Sequence, residues 1–187
     1  MAGARPLTEN EIAQVAEKLN QRDRVLFLLG VNTGFRISEL LSLQVKDIMK
    51  LGVVKGEVTV RASKMKDKTS SRSVPIRPEM QETLRQWLEV VGFDPEAFLF
   101  PSRKGKGAIS RVQAHTVLKE AFEACGLEGK TSTHSMRKTF AKKVHEALGC
   151  DVTKTMKALG HVYVTSTQRY LDWDRDEIND GILKAFA

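Results

Sequence analysis

The sequence is poor in cysteine and in aromatic residues. Two cysteines, Cys125 and Cys150, occur among 187 residues, and aromatic side chains make up 6% of the chain. Each cysteine lies near the C-terminal end of a helix-like segment, which does not suit a disulfide framework, so we expect buried free thiols in a reducing cytoplasm. With 41% hydrophobic and 28% charged residues, the chain is too apolar to be disordered, and its length predicts one compact domain.

Long apolar segments and metal-binding motifs are also missing. The longest apolar run, at 25–31, is far shorter than the roughly 18 residues that cross a bilayer, and the start MAGARPLTEN lacks the apolar core of an export signal. These absences argue against a membrane-spanning protein and against Sec-type export. Neither H-E-x-x-H nor C-x-x-C occurs, so we expect no metal and no cofactor.

The chain is basic, and its charge is unevenly distributed. Thirty lysines and arginines against 23 acids give a net charge of +7. Residues 171–187 hold five acids and two bases, so this tail carries −3 and the rest of the chain +10. A basic body favours a polyanion such as DNA as the partner, although charge alone does not identify one.

Helical spacing and capping signals predict a mostly helical chain. Thr8 and Glu11 form a capping box at the first helix, and Leu7 with Ile12 forms a hydrophobic staple. The next helices are expected at about 24–32, 37–43, 78–91, 110–126, 133–148 and 151–159. A last helix, capped by Thr165 and Gln168, is expected to carry Tyr170.

One β-hairpin is expected within this helical chain. The segment GEVTVRA at 56–62 alternates as a strand does and can pair with SRSVPI at 71–76. The loop between them carries Lys64, Lys66 and Lys68, which makes the tip of the hairpin basic. The expected fold is therefore mainly α with a small antiparallel β-hairpin, an α+β domain.

Three motifs stand out from this background. TGFRISELL places Arg36 at a helix start, and HSMRKTF places His134 three residues before Arg137 on a first helical turn. LGHVYVTSTQRY ends in Tyr170, nine residues after His161. His134 and Arg137 can share one face of their helix, and the N-terminus of that helix favours an anion.

In this order, and with a lysine on the hairpin, the motifs resemble the tyrosine recombinase (phage integrase) family. The resemblance covers the chain from residue 7 to about residue 183. It implies that family's catalytic-domain fold and a site-specific recombinase that cleaves and rejoins double-stranded DNA through a 3′-phosphotyrosyl intermediate. It also implies action without metal or ATP and self-association as a tetramer on paired sites. The catalytic residues that it assigns are Arg36, Lys64, His134, Arg137, His161 and Tyr170.

Tyrosine and arginine suit the first part of this chemistry. Tyr170 would attack the phosphorus, because a phenol oxygen can serve as a nucleophile once its proton is removed. Arg36 and Arg137 stay charged at any working pH, and their planar guanidinium groups can each bind two phosphoryl oxygens.

Proton transfer and further hydrogen bonding need other groups. Within the resemblance, His161 is expected to donate a hydrogen bond to the phosphate, and His134 is a possible base for the tyrosine. Lys64 is expected to protonate the leaving 5′-oxygen, with Lys66 and Lys68 as rival candidates.

Several alternatives stay open on the sequence. The chain could be a DNA-binding module without chemistry, or a type IB topoisomerase that relaxes supercoils as a monomer. Tyr163 is a rival nucleophile, but it lacks the family spacing, so a packing role is expected. The basic segment RKGKG at 103–107 is expected to contact the DNA backbone or to be plain surface. Lys138 stands where many family members have a second histidine.

The expected organisation has three parts. Residues 1–6 are a lead-in or cloning residue, residues 7–173 the catalytic domain, and residues 174–187 an acidic segment that docks on a neighbouring protomer. Typical members have a helical DNA-binding domain before the catalytic one, so we expect either an excised domain or a naturally short member. The expected location is the cytoplasm, at the nucleoid.

Overall fold

The structure, a computed structural model, describes residues 3–61, 71–103, 105, 107–168, 170–171 and 182–185. The helices are α1 (Glu9–Lys18), α2 (Gln21–Thr33), α3 (Ile37–Leu40), α4 (Val45–Ile48), α5 (Pro78–Val91), α6 (Arg111–Ala124), α7 (Thr133–Ala147), α8 (Val152–Leu159) and α9 (Val164–Gln168). The strands are β1 (Met49–Lys50), β2 (Val53–Val54), β3 (Glu57–Val60) and β4 (Arg72–Pro75). None of the helices in these ranges is long and apolar enough to cross a membrane.

Capping side chains fix where the first helices begin. The Thr8 hydroxyl accepts a hydrogen bond from the Glu11 backbone N–H at 3.3 Å, and the Glu11 carboxylate accepts one from the Thr8 N–H at 2.8 Å. This confirms the predicted capping box. Helix α2 begins three residues earlier than predicted, because the Asn20 side chain accepts from the Asp23 N–H at 3.1 Å and so caps it.

Helix α2 lies at the centre of the core and packs against α1, α5, α6 and α7. On α7, the sulphur of Met136 lies directly against Gly30, where a side chain would collide with it. Gly34 ends α2 with a φ of 61° and lies against the Phe140 ring, a position that suits only glycine. These contacts bring the first half of α7, with Arg137, against the C-terminal end of α2.

The predicted hairpin is present. Strands β3 and β4 pair antiparallel, with Val58 opposite Val74 and Val60 opposite Arg72. Arg72 and Val74 are buried, whereas Ser73 and Pro75 are exposed, so one face of β4 packs on the core. The tip of the hairpin, residues 62–70, lies outside the described residues.

A second, smaller hairpin was not predicted. Strands β1 and β2 pair antiparallel across Leu51 and Gly52, whose φ values are 50° and 77°. Two successive positive φ values are typical of a type I′ turn, which joins tightly paired strands. Strands of two residues are too short to show alternation in the sequence. The one-turn helix α4 was also not predicted.

The prediction for the last helical segment was wrong in two respects. Thr165 was predicted to cap the helix, but α9 already begins at Val164. The Ser166 N–H donates to the Tyr163 carbonyl at 3.1 Å, so the first helical turn includes Thr165. Tyr170 lies in a turn after this helix, where its own N–H donates to the Thr167 carbonyl at 2.9 Å. Helix α3 also ends early, at residue 40.

Burial differs from the expectation at several side chains. Both cysteines are free, but Cys150 is exposed, so the prediction of a buried thiol was wrong there. Tyr163 is 71% exposed, which contradicts a packing role. Within the expected lead-in, Ala4 is buried and the Arg5 N–H donates to the Lys130 carbonyl at 2.9 Å. Residues 4 and 5 therefore pack on the rest of the chain.

Candidate active site

Arg137 is a deeply buried charged residue of the site, with 1% of its surface exposed. Its Nη1 donates to the Gly34 carbonyl, and its Nη2 donates to the Leu159 carbonyl at 2.8 Å. Gly34 follows α2, and Leu159 is the last residue of α8. The guanidinium group therefore joins the C-terminal ends of two helices, where carbonyl groups lack helical partners and carry partial negative charge.

Arg36 lies two residues after Gly34, at the start of α3. Its Nη1 donates to the Glu39 carboxylate at 2.8 Å, and its backbone N–H donates to the other Glu39 oxygen at 2.7 Å. The Glu39 side chain is 1% exposed, whereas that of Arg36 is 21% exposed. A buried carboxylate thus holds the arginine from one side and leaves part of its guanidinium group open to solvent.

Tyr170 reaches the same place from the opposite end of the chain. Its hydroxyl lies 3.4 Å from Nδ1 of His134. Its ring centroid lies 5.4 Å from the Arg137 guanidinium carbon and 5.2 Å from the centroid of the His161 ring. The structure therefore brings together four of the six predicted site residues by direct contact.

His161 is buried, and both of its ring nitrogens are engaged. Nε2 lies 2.8 Å from Nη2 of Arg137, and Nδ1 lies 2.9 Å from Oγ1 of Thr167. A guanidinium nitrogen can only donate, so Nε2 accepts, Nδ1 carries the proton and the Thr167 hydroxyl accepts it. In this arrangement His161 orients Arg137 and has no proton to offer a phosphate, which differs from the expected donor role.

Burial and the charges of the arginines lower the pKa of both histidines and so favour their neutral forms. Burial, together with Arg137, Arg36 and Arg72, lowers the pKa of His161 to about 3. Partial burial and the same first two arginines lower the pKa of His134. Burial and repulsion from Arg36 lower the pKa of Arg137 to about 10, so it stays protonated at neutral pH. A neutral His134 beside the Tyr170 hydroxyl can accept its proton.

The predicted lysines cannot be placed in this geometry. Lys64, Lys66 and Lys68 all lie outside the described residues. Lys138, the residue that departs from the family pattern, is buried on α7 and adds to the positive charge that lowers the pKa of His134.

Three contributors to the site were missed on the sequence. Glu39 lies within the motif around Arg36, three residues further on, which is the spacing at which a helix-start side chain meets its partner. Arg72 shares the buried face of β4 with Val74, and a charge on a core face is itself a signal. Thr167 had no signal in the sequence, because its bond to His161 depends on how α9 folds back.

Comparison with known proteins supports the resemblance. The model of the phage integrase family matches residues 5–177. The protein named "Probable integrase/recombinase YoeC" of Bacillus subtilis is 33% identical over 166 residues, which cover 89% of this chain and 86% of that protein. Tyrosine recombinase XerA of Pyrococcus furiosus is 31% identical over 183 residues, which cover 96% of this chain and 61% of XerA. The chain thus spans less than two thirds of this Xer relative.

Solved structures show the same fold. XerA recombinase superposes with a TM-score of 0.78 at 22% identity, over 98% of this chain and 64% of that one. XerH recombinase, in a post-cleavage complex with its palindromic difH substrate, gives a TM-score of 0.74 at 22% identity, over 95% and 51%. The predicted catalytic-domain fold is confirmed, and the matches favour a recombinase over the two alternatives.

We predict that the His161 ring stays neutral, with a proton on Nδ1 alone, in the folded protein at pH 5. Because its folded pKa of about 3 lies below the ordinary value of about 6.5, the unfolded chain binds the proton more tightly. This residue's contribution to stability is therefore complete above pH 6.5 and is lost as the pH falls toward 3. Nitrogen-15 NMR of the ring measures this, with the urea-unfolded chain as the control. A folded-state midpoint near 6.5 would contradict the geometry.

Proposed function

We propose, for a chain that belongs to the phage integrase family and has the catalytic domain of a tyrosine recombinase, that Tyr170 is the nucleophile of DNA strand transfer. The observation that carries this proposal is the position of the Tyr170 side chain. Its hydroxyl lies 3.4 Å from His134 Nδ1, and its ring packs near the Arg137 guanidinium group. A nucleophile, a neutral base and a fixed cation are thereby assembled at one point.

Cleavage exchanges one phosphorus–oxygen bond for another. The Tyr170 oxygen attacks the phosphorus, its proton passes to Nδ1 of His134, and the bond from phosphorus to the 5′-oxygen breaks. The products are a 3′-phosphotyrosyl enzyme and a free 5′-hydroxyl, once the leaving oxygen has taken up a proton. Attack by a 5′-hydroxyl from a second strand reverses these steps. Since the phosphodiester energy is kept in the covalent intermediate, rejoining needs no ATP.

The arginines stabilise the charge that develops on the phosphoryl oxygens. Arg36 is partly exposed and braced by Glu39, so it can meet a phosphate that arrives from solvent. The Nε of Arg137 is buried and has no acceptor among the described residues, and an unmet buried donor favours an acceptor such as a phosphate oxygen. His161 holds Arg137 in place through Nε2.

Lys64 is our candidate for the acid that protonates the leaving oxygen, with Lys66 and Lys68 as the alternatives. All three lie between β3 and β4 in the sequence. Arg72, the first residue of β4, lowers the pKa of His161, and the charge of Arg137 lowers the pKa of Arg72. Strand β4 therefore starts beside the candidate active site. The strand that follows these lysines in the sequence thus lies beside the site, which supports the choice of Lys64.

The partner that suits this site is double-stranded DNA. The chain outside the tail carries +10, and charge-driven DNA binding weakens steeply with salt. We assign residues 7–173 to the catalytic domain, which would act on the chromosome at the nucleoid. Since the chain spans only part of the length of its Xer relatives, tight binding would need contacts beyond those of this domain.

The acidic tail suits a contact between protomers. Residues 174–187 hold four acids and two bases, and their net charge of −2 would be repelled by DNA and attracted by the basic body of a second copy. Two of their apolar side chains, Ile182 and Leu183, are 54% and 71% exposed, which is typical of a segment that binds a protein surface. We therefore assign residues 174–187 to docking on a neighbouring protomer in a tetramer on paired sites.

We predict that Tyr170→Phe abolishes covalent attachment to DNA. The wild type is incubated, at low salt, with a nicked suicide substrate carrying a sequence selected by the protein from a random library, and a covalent band is sought on a denaturing gel. Phenylalanine keeps the ring and removes the attacking oxygen, so DNA binding should be unchanged. Tyr163→Phe is the matched control and should keep the band. A band that survives in Tyr170→Phe would remove Tyr170 as the nucleophile.

We predict that truncation after Trp173 leaves binding to a single duplex within about twofold of the wild type but weakens assembly of two duplexes. The reason is that the removed residues are repelled by DNA and attracted by protein. Gel shifts with one and two labelled duplexes measure both quantities, and the double variant Ile182→Ser, Leu183→Ser tests the apolar part alone. Unchanged assembly and cleavage in the truncated chain would refute the docking role.

A further inference from the structure

Arg72 is a second buried arginine beside the candidate active site, and neither its sequence position nor the family motifs assign it a role. It lies on the core face of β4 with 6% of its surface exposed. Its Nε donates to the Ala158 carbonyl at 2.8 Å, and its Nη2 donates to the Thr33 carbonyl at 2.6 Å. Its Nη1 is buried and has no hydrogen-bond partner in the part of the chain that the structure describes.

The carbonyl groups that Arg72 binds are adjacent in the sequence to those that Arg137 binds. Arg72 binds the carbonyls of Thr33 and Ala158, and Arg137 binds those of the next residues, Gly34 and Leu159. Two guanidinium groups from different elements therefore join the C-terminal ends of α2 and α8, one residue apart. We call this pair of connections the double arginine bridge.

Each helix end in the bridge leads directly to a site residue. Arg36 follows the end of α2 by three residues, and His161 follows the end of α8 by two. The spacing between α2 and α8 therefore sets the spacing between Arg36 and the His161–Arg137 pair. Arg137 makes one connection between the two helix ends, which also pack on α7, and Arg72 adds a second connection that further restricts their relative orientation.

The surroundings of Arg72 hold its guanidinium plane in this orientation. Its carbon lies 4.9 Å from the centroid of the Phe35 ring and 5.6 Å from that of Phe140. Its stem packs against Gly160, the residue between α8 and His161. Aromatic faces and helix C-terminal carbonyls both favour a planar cation, so a flexible ammonium group would not reproduce these contacts.

Stability alone does not explain an arginine at this position. Burial and the positive charge of Arg137 lower the pKa of Arg72 to about 9, which shows that the charge is held at a cost. Taking a charge out of water carries a desolvation cost that its hydrogen bonds must offset, so a buried charge is weak evidence for a role in stability alone.

We propose that Arg72 is a positioning residue for strand transfer, which completes the double arginine bridge and thereby sets Arg36 and His161 at the distance that the phosphate requires. The proposal rests on the proposed function of the same site. It predicts that loss of Arg72 slows the chemical step in folded protein, because misplacement by about 1 Å can cost roughly 10²-fold in rate.

The test compares Arg72→Met, Arg72→Lys and a matched control, Arg22→Met. Arg22 is a buried arginine on α2 that binds Asp23 and the Pro101 carbonyl and takes no part in the bridge. Single-turnover cleavage of the suicide substrate at saturating DNA gives a rate constant and an amplitude. The rate constant reports on the folded enzyme, whereas loss of folded protein lowers only the amplitude.

The expected result is a rate constant reduced roughly 10²-fold in Arg72→Met and only partly restored in Arg72→Lys, with the DNA dissociation constant unchanged. Arg22→Met should keep the wild-type rate constant, whatever its amplitude. A wild-type rate constant in Arg72→Met, or full recovery in Arg72→Lys, would overturn the proposal.

Hydrogen exchange without DNA separates this proposal from the proposed function. Amides at 30–36 and 157–163 should exchange faster in Arg72→Met than in Arg22→Met, because the helix ends have lost one connection. Equal exchange rates of these amides in the two variants would show that Arg72 does not connect the two helix ends and would overturn the proposal. If the wild type forms no covalent complex, the proposed function fails, and the exchange result alone then decides whether Arg72 joins the two helices.

Discussion

The candidate active site depends on the contact between buried guanidinium groups and the C-terminal carbonyls of α2 and α8. Arg137 is almost fully buried, and its Nη atoms bind Gly34 and Leu159. The carbonyls satisfy hydrogen bonds that the helices cannot make themselves and oppose the charge of the arginine. One side chain on α7 thus links the helix ends that lead to Arg36 and His161.

This arrangement also sets the protonation states that the chemistry needs. Burial and the arginine charges hold the histidines neutral, so His134 can accept a proton and His161 can accept a hydrogen bond from Arg137. Because Thr167 accepts from the other nitrogen of His161, the ring has a single tautomer. The same cations that would bind the phosphate therefore prepare both histidines for their different tasks.

Much of this could be predicted from local patterns in the sequence. The capping box at Thr8, the hairpin at 56–76 and the motifs around Arg36 and Arg137 each depend on residues close in the chain, and the structure has them as expected. Tyr170 was predicted within the last helix but lies after the end of α9. A helix of five residues carries too weak a sequence pattern to predict where it begins and ends.

Contacts between distant segments could not be predicted. The acceptor role of His161 follows from its distance to Arg137, and the alignment of Arg72 with Arg137 follows from how β4 packs on two helix ends. Neither relation follows from a regular spacing in the sequence, because His161 lies 24 residues from Arg137 and Ala158 lies 86 residues from Arg72. The identity of the site residues was thus easier to predict than the task of each.

Identification of the residue that bears DNA after cleavage tests the central claim most directly. The covalent adduct is digested with nuclease and protease, and the modified peptide is sequenced by mass spectrometry. We expect a nucleotide joined through its 3′-phosphate to the oxygen of Tyr170. A nucleotide on Tyr163 or on any other side chain would contradict the account.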